Sequence, residues 1–180
     1  MQDFMPLSDD AWPSQIADMR GGFAGRLNVY RVMAHHPALL RAWADFRDHV
    51  VVKTSLGAER SEVVILRTGV RLQAEYEWAH HVVRGRASGL SDARILALRG
   101  DVARLSRDDA VLVRAVDALI DAACLPSDLQ AELLDLVGVD GLFDVIATVG
   151  LYRILGCLVK SFDTPIDADI AAALAAQPIG

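Results

Sequence analysis

Cysteine is nearly absent from this chain. Cys124 and Cys157 stand far apart, in no CxxC and in no metal-ligand spacing, which rules out a disulfide framework and a cysteine-ligated metal. Two reduced, buried thiols of a cytoplasmic protein are expected instead. Basic residues are also short, 18 Lys and Arg against 24 Asp and Glu, for a net charge of −6. No basic stripe exists to neutralise phosphates, so nucleic acid is excluded as a partner. The amino terminus, Met1 to Pro6, is acidic and lacks the apolar core of a signal peptide. The most apolar run, Leu142 to Val159, is interrupted by Asp144 and Arg153. It is too short and too charged to span a bilayer and is expected to be a buried helix, with no membrane partner. No Gly-rich phosphate loop and no GxSxG elbow occur.

What is present is apolar and helical. Hydrophobic residues make up 53 % of the chain and charged ones 23 %, a composition that suits a surface partly covered by another subunit. Helical periodicity runs almost throughout, and period-two alternation does not. The expected fold is all-α, a single-domain helical bundle over residues 1–180, with no internal repeat. Ser8-Asp9-Asp10 is a candidate cap for a short helix to about Arg20, broken by Gly21-Gly22. Phe23 to Met33 is ambiguous. His36-Pro37 starts a helix through Val50, Ser55 or Gly57 one through Leu72, and Ala74 one to about Ala87. Ser91 and the capping boxes at Ser106 and Ser127 open three more, reaching Arg99, Cys124 and Val137. A long helix from Asp140-Gly141 to Lys160 follows, and the tail from Thr164 is expected to fold only against a neighbour.

Chemistry-bearing side chains concentrate in Ala74-Glu75-Tyr76-Glu77-Trp78-Ala79-His80-His81. On a helical wheel Glu77, His81 and Arg84 share one face at i, i+4, i+7, so Glu77 and His81 can touch. Periodicity alone favours a solvated polar face there. His80 falls between the faces and is expected to be partly exposed. Glu75 projects toward the apolar side, or caps the first turn. One helix earlier, Glu62 falls inside the apolar arc of Val63, Ile65, Leu66, Gly69 and Val70, with Arg67 and Arg71 opposite. A carboxylate among aliphatics is either pushed toward neutrality, as a general acid or base requires, or held by the free amides of a helix start. In one continuous helix Glu62 and Glu77 would lie about 22 Å apart. They share a site only if the chain turns back between Gly69 and Ala74. Adjacent histidines point about 100° apart on a helix, and the zincin spacing is missing, so no metal is expected.

The run from Arg60 to Leu90 resembles the carboxymuconolactone decarboxylase and alkylhydroperoxidase D superfamily. Its redox members carry a glutamate, a Cys-x-x-Cys, a histidine four residues further on, and a Gly-Leu. Glu62 matches the family glutamate and His81 the family histidine, while Ala74 and Glu77 occupy the two cysteine positions. Tyr76-Glu77-Trp78-x-x-His81 looks like a cysteine-free branch. His36-Pro37, Tyr152-Arg153 and Asp163-Thr164-Pro165 are similar to it too, so the family core would cover about 30–165, with extensions at both ends. The resemblance implies an alkylhydroperoxidase D-like helical fold assembled as trimers or hexamers. It also implies a role in aromatic catabolism. Without the motif thiols, thiol peroxidase activity should be absent.

The expected activity is that of a carboxymuconolactone decarboxylase-like lyase, working without a cofactor on a small carboxylated or lactone substrate. Glu62 would be the acid, His81 its partner and Glu77 the group orienting His81. Tyr76 and one of Arg67, Arg71 or Arg84 would bind the substrate. A non-catalytic helical oligomer or ligand-binding relative, and a metal-dependent enzyme on His80 and His81, are the alternatives.

Overall fold

The computed structural model describes residues 4–179. Among the described residues all regular structure is helical. After a 3-10 turn, Ser14–Met19, come α1 (Phe23–Arg26), α2 (Asn28–Met33) and α3 (Pro37–Asp48), which runs into a π-turn, His49–Lys53. Then follow α4 (Gly57–Leu72), α5 (Glu75–Ala87), α6 (Asp92–Ala97), a 3-10 turn, Val102–Arg104, α7 (Arg107–Ala122), α8 (Ser127–Ser161) and α9 (Ala168–Ala176).

The bundle is built around α4, which packs against α5, α7 and α8. Every residue from Ser61 to Gly69 is buried, the pattern of a helix with neighbours on all sides. One core lies between α4, α7 and the first half of α8, around Leu66, Leu112 and Leu133. A second joins α2, α3, α4 and the second half of α8, around Leu40, Ile65, Leu151 and Leu155. Arg67 closes the α4–α7 side with a bidentate bond to Asp117, at 2.8 and 2.7 Å. Asp144 of α8 ties down the entry to α4, accepting from the Ser55 amide at 2.6 Å, the Ser55 hydroxyl at 2.8 Å and the Thr54 hydroxyl at 3.1 Å.

Several local signals act as expected. The Ser91 and Ser106 hydroxyls accept from the Arg94 and Asp109 amides, and Pro37 opens α3 behind a His36 cap. Others do not. The stretch at Ser8 forms no α-helix; only the 3-10 turn appears, and Ile16 departs from helical geometry inside it. Pro126, not Ser127, takes the N-cap position of α8, without a side-chain cap bond. The two helices expected after it run on as one element, interrupted at Gly138, whose φ of 70° only glycine adopts freely. By length and composition α8 passes as a membrane span, but half of its apolar window is buried within the protein, as in a core helix. Both cysteines are exposed rather than buried.

Candidate active site

The condition for a shared site is met by the turn between α4 and α5. Gln73 adopts the left-handed conformation, φ 53° and ψ 42°. The Ala74 amide donates back to Gly69 O at 3.0 Å and the Gln73 amide to Val70 O at 3.1 Å, a Schellman closure with a non-glycine at its hinge. The break therefore sits at Gln73. Gly69 faces the start of α5: a Cβ there would meet Glu77 Cβ and the Trp78 amide at 3.5 Å, an ordinary contact.

That return places His81 between two carboxyl groups. His81 Nδ1 lies 2.7 Å from Glu62 Oε2, and Nε2 lies 3.8 Å from Glu77 Oε2. Glu77 and His81 are 3 and 2 % exposed, so the polar face of α5 is a buried one. Glu62, at 9 %, is the member nearest solvent. The Tyr152 ring of α8 stands edge-on to the imidazole at 5.0 Å. Tyr30 of α2 belongs to the same buried cluster.

Burial sets the protonation states. It pushes the Glu77 carboxyl up to about 8, with the nearby Arg84 pulling only weakly the other way. Burial also lowers the His81 imidazole below its ordinary range, against the opposing pull of Glu62. At neutral pH Glu77 therefore keeps its proton and His81 is uncharged, and the 3.8 Å contact is no ion pair. His81 donates its Nδ1 proton to Glu62 and turns the Nε2 lone pair toward Glu77. Glu77 Oε1 is buried without a hydrogen-bond partner. Burial likewise raises the Tyr152 phenol and keeps it neutral. One chain of groups thus links an acid below the surface, through an imidazole, to a carboxylate at its edge.

His80 faces the other way. It is 3 % exposed, against the expectation of partial exposure, because the segment between α8 and α9 folds over it. His80 Nδ1 lies 2.7 Å from the Tyr76 carbonyl and Nε2 lies 2.8 Å from Asp167 Oδ2. Both ring nitrogens thus face oxygen atoms. Asp167 also accepts from the Tyr76 hydroxyl at 2.5 Å and the Asn28 amide at 3.0 Å. Burial opposes its charge, but these donors hold the carboxyl below the usual range. The tail therefore folds against the chain's own α5 rather than awaiting a neighbour.

This arrangement corrects several sequence-based assignments. The Tyr76 hydroxyl is consumed by Asp167 and the Val29 amide, leaving it no free bond for a substrate. Arg67 is fully engaged by Asp117 and the Leu98 carbonyl on the α7 side, and Arg71 by Asp117 and Asp121. Glu75 is exposed, in a long 3.8 Å contact with Arg99. Arg84 alone of the three candidate arginines flanks Glu77 and His81, and it pairs with no carboxylate among the described residues. Among those residues no His, Cys, Asp and Glu side chains converge as metal ligands. Tyr30 and Asp167 escaped the sequence reading, and Tyr152 entered it only as part of a resemblance.

Residues 37–121 match the carboxymuconolactone decarboxylase family. No curated protein matches the chain. Among solved structures, it is similar to an uncharacterized peroxidase-related protein with an alkylhydroperoxidase AhpD core from Ralstonia eutropha JMP134. The identity is 14 %, the TM-score 0.76, and the match covers 94 % of this chain and 96 % of that one. It is also similar to a cysteine-to-alanine variant of the debrominase Bmp8 in complex with 2,3,4-tribromopyrrole, at 16 % identity and a TM-score of 0.72 over 98 % of this chain and 97 % of that one. The apo form of Bmp8 matches at 15 % identity, with a TM-score of 0.72 over 96 % of each chain. The family match spans α3 to α7, and the alkylhydroperoxidase D-like fold is shared along nearly the whole length of the chain.

Proposed function

We propose that the protein is a cofactor-independent lyase of the carboxymuconolactone decarboxylase kind, moving protons on a small carboxylated or lactone substrate in the cytoplasm. The observation that carries this reading is the Glu62–His81–Glu77 relay, with a proton stored on Glu77 at neutral pH and a neutral imidazole beside it. In a decarboxylation the bond to the carboxylate carbon breaks, carbon dioxide leaves, and the electron pair enters a conjugated carbonyl as an enolate. The enolate carbon must then be protonated. Glu62, nearest solvent, delivers that proton while His81 passes its Nδ1 proton to Glu62 and takes the Glu77 proton at Nε2. The 3.8 Å separation at Nε2 must close by about 1 Å for that transfer. Glu77 ends as a carboxylate, and the relay resets in reverse: a solvent proton enters at Glu62 and passes to His81 Nδ1, while Nε2 returns its proton to Glu77. Glu77 is then the proton reservoir, a larger role than orienting His81. Arg84, partly buried and unpaired among the described residues, is our choice for the group that holds a substrate carboxylate.

Such relays contribute about 10²–10⁴-fold in rate, so Glu62→Gln should cost roughly that factor and leave the fold intact. The assay sets carboxymuconolactone against an organic hydroperoxide with a thiol reductant. Decarboxylation that needs Glu62 supports the reading. Peroxide turnover without decarboxylation overturns it, as does full activity in Glu62→Gln. The debrominase Bmp8 shares the fold, and brominated pyrroles belong in the same assay panel.

One observation favours a second reading, a non-catalytic ligand-binding or assembly role: Glu77 and His81 are closed off from solvent. We also propose that the chain forms a homo-oligomer. Val139, Phe143, Ile146 and Ile154 recur at helical spacing along one exposed face of α8, at 62, 65, 40 and 48 % exposure, an apolar stripe of the kind that subunits cover.

A further inference from the structure

Among the described residues, Arg47 and Arg84 are the only partly buried arginines that pair with no carboxylate. Arg84 sits beside the relay on α5. Arg47 approaches from α3, where its guanidinium lies 4.6 Å over the Phe23 ring and within hydrogen-bonding reach of the Tyr30 phenol. Its Nε is buried without a hydrogen-bond partner. One helical turn earlier, Trp43 is 6 % exposed, and its indole N–H is also buried without a partner. Residues four apart on a helix lie on one face, so α3 presents two orphaned donors and one positive charge side by side. Tyr30 and Tyr152 share one buried cluster with Trp43, and both phenols lie near enough to feel the Glu77 carboxyl. Leaving such donors unsatisfied is costly, and buried polar groups in folded proteins almost always have partners. The fourth orphaned atom, the Thr164 hydroxyl, lies on the tail segment.

We propose that Arg47 and the Trp43 indole N–H form a carboxylate-binding subsite on α3, which takes an acidic group of an organic substrate and sets specificity at the relay. This rests on the relay being the reacting centre. The donors fit the acceptor: a carboxylate offers two oxygens, one to the guanidinium in a charge-assisted bond and one to the indole. Neither residue reaches the proton-transfer chain, so both are specificity residues rather than members of the relay.

The test follows the Trp43 indole N–H resonance in ¹⁵N-labelled protein, assigned by its loss in Trp43→Phe. The protein is titrated with benzoate, with its neutral isostere benzamide, and with inorganic phosphate. Benzoate should move the resonance saturably and benzamide should not. Arg47→Gln should weaken benzoate roughly 10- to 100-fold, the worth of a charged hydrogen bond, and Arg47→Lys should weaken it less. A resonance indifferent to benzoate, or equally responsive to benzamide, overturns the subsite. A response to phosphate alone overturns the organic class. Should Arg47→Gln fail to fold, the benzoate–benzamide comparison in wild type and in Arg47→Lys decides. The reaction and the subsite fail separately. Arg47-dependent benzoate binding in a chain that decarboxylates nothing removes the reaction and leaves the subsite. Decarboxylation with a KM unmoved by Arg47→Gln does the reverse.

Discussion

Replacing Glu77 by glutamine should stabilise the protein, and by an amount that grows with pH. Burial raises the Glu77 carboxyl from 4.5 to about 8 on folding. The native chain therefore holds a proton at pH values where the unfolded chain has released it, and stability falls as pH rises through that window. At about 1.4 kcal/mol per pH unit, keeping a carboxyl in this site costs roughly 1 kcal/mol at pH 5 and roughly 4 kcal/mol at pH 8, compared with a group that does not ionise. Glutamine has the same shape and carries no charge. Its amide keeps a donor on the side of His81 Nε2, so the imidazole keeps its state.

The measurement is urea unfolding of wild type and Glu77→Gln at pH 5, 6, 7 and 8, at one protein concentration so that association does not enter. The variant should gain about 3 kcal/mol on the wild type across that range, or roughly 6–12 °C in Tm for a chain of this size. Other titrating groups act on both proteins alike and drop out of the difference. A gap that stays flat with pH refutes the protonated Glu77. A gap that narrows refutes it more strongly, because it would mean that Glu77 is ionised and paired with a charged His81.

The same proton should show in activity. If Glu77 is the reservoir, turnover should fall about tenfold per pH unit above its raised value near 8, and a rate that is flat to pH 9 would exclude it. Asp167→Ala removes the acceptor shared by Asn28, Tyr76 and His80 and should cost roughly 3 kcal/mol. Faster hydrogen exchange in α9 than in α7 would locate that loss, and uniform exchange would contradict the clamp. Phe143→Glu puts a charge on the exposed stripe of α8 and should lower the oligomeric state in sedimentation, and an unchanged assembly would exclude that face.

The helices were legible because their signals are local. Pro37, Ser91 and Ser106 each mark a start within a few residues of where a helix begins, and apolar periodicity carries the rest. Glu62 was legible for the same reason, as a carboxylate out of place in an apolar arc. Burial of the polar face of α5 was not legible. Glu77, His81 and Arg84 spaced at i, i+4, i+7 look alike whether water or another helix covers them, and only the packing of α4 and α8 against α5 decides. The arginines failed in a similar way. Arg67 and Arg84 offer a substrate the same guanidinium, and they differ only in that Asp117 lies fifty residues from the first. Asp167 gave no local sign at all, since its partners Asn28, Tyr76 and His80 are 139, 91 and 87 residues away.

The paired histidines of α5 then have a physical explanation that a shared metal could not supply. At about 100° of rotation per residue, His80 and His81 must face different neighbours, and the fold gives each a carboxylate from a different element. His80 meets Asp167 and a carbonyl through its two ring nitrogens, so its ring is fixed within the clamp on the tail. His81 meets Glu62 through one nitrogen only, and its second nitrogen is held open opposite a protonated acid. A charge on His80 disfavours a second proton on His81, in the same direction as burial. The structural histidine thus helps to keep its neighbour neutral, which is the state a proton relay needs.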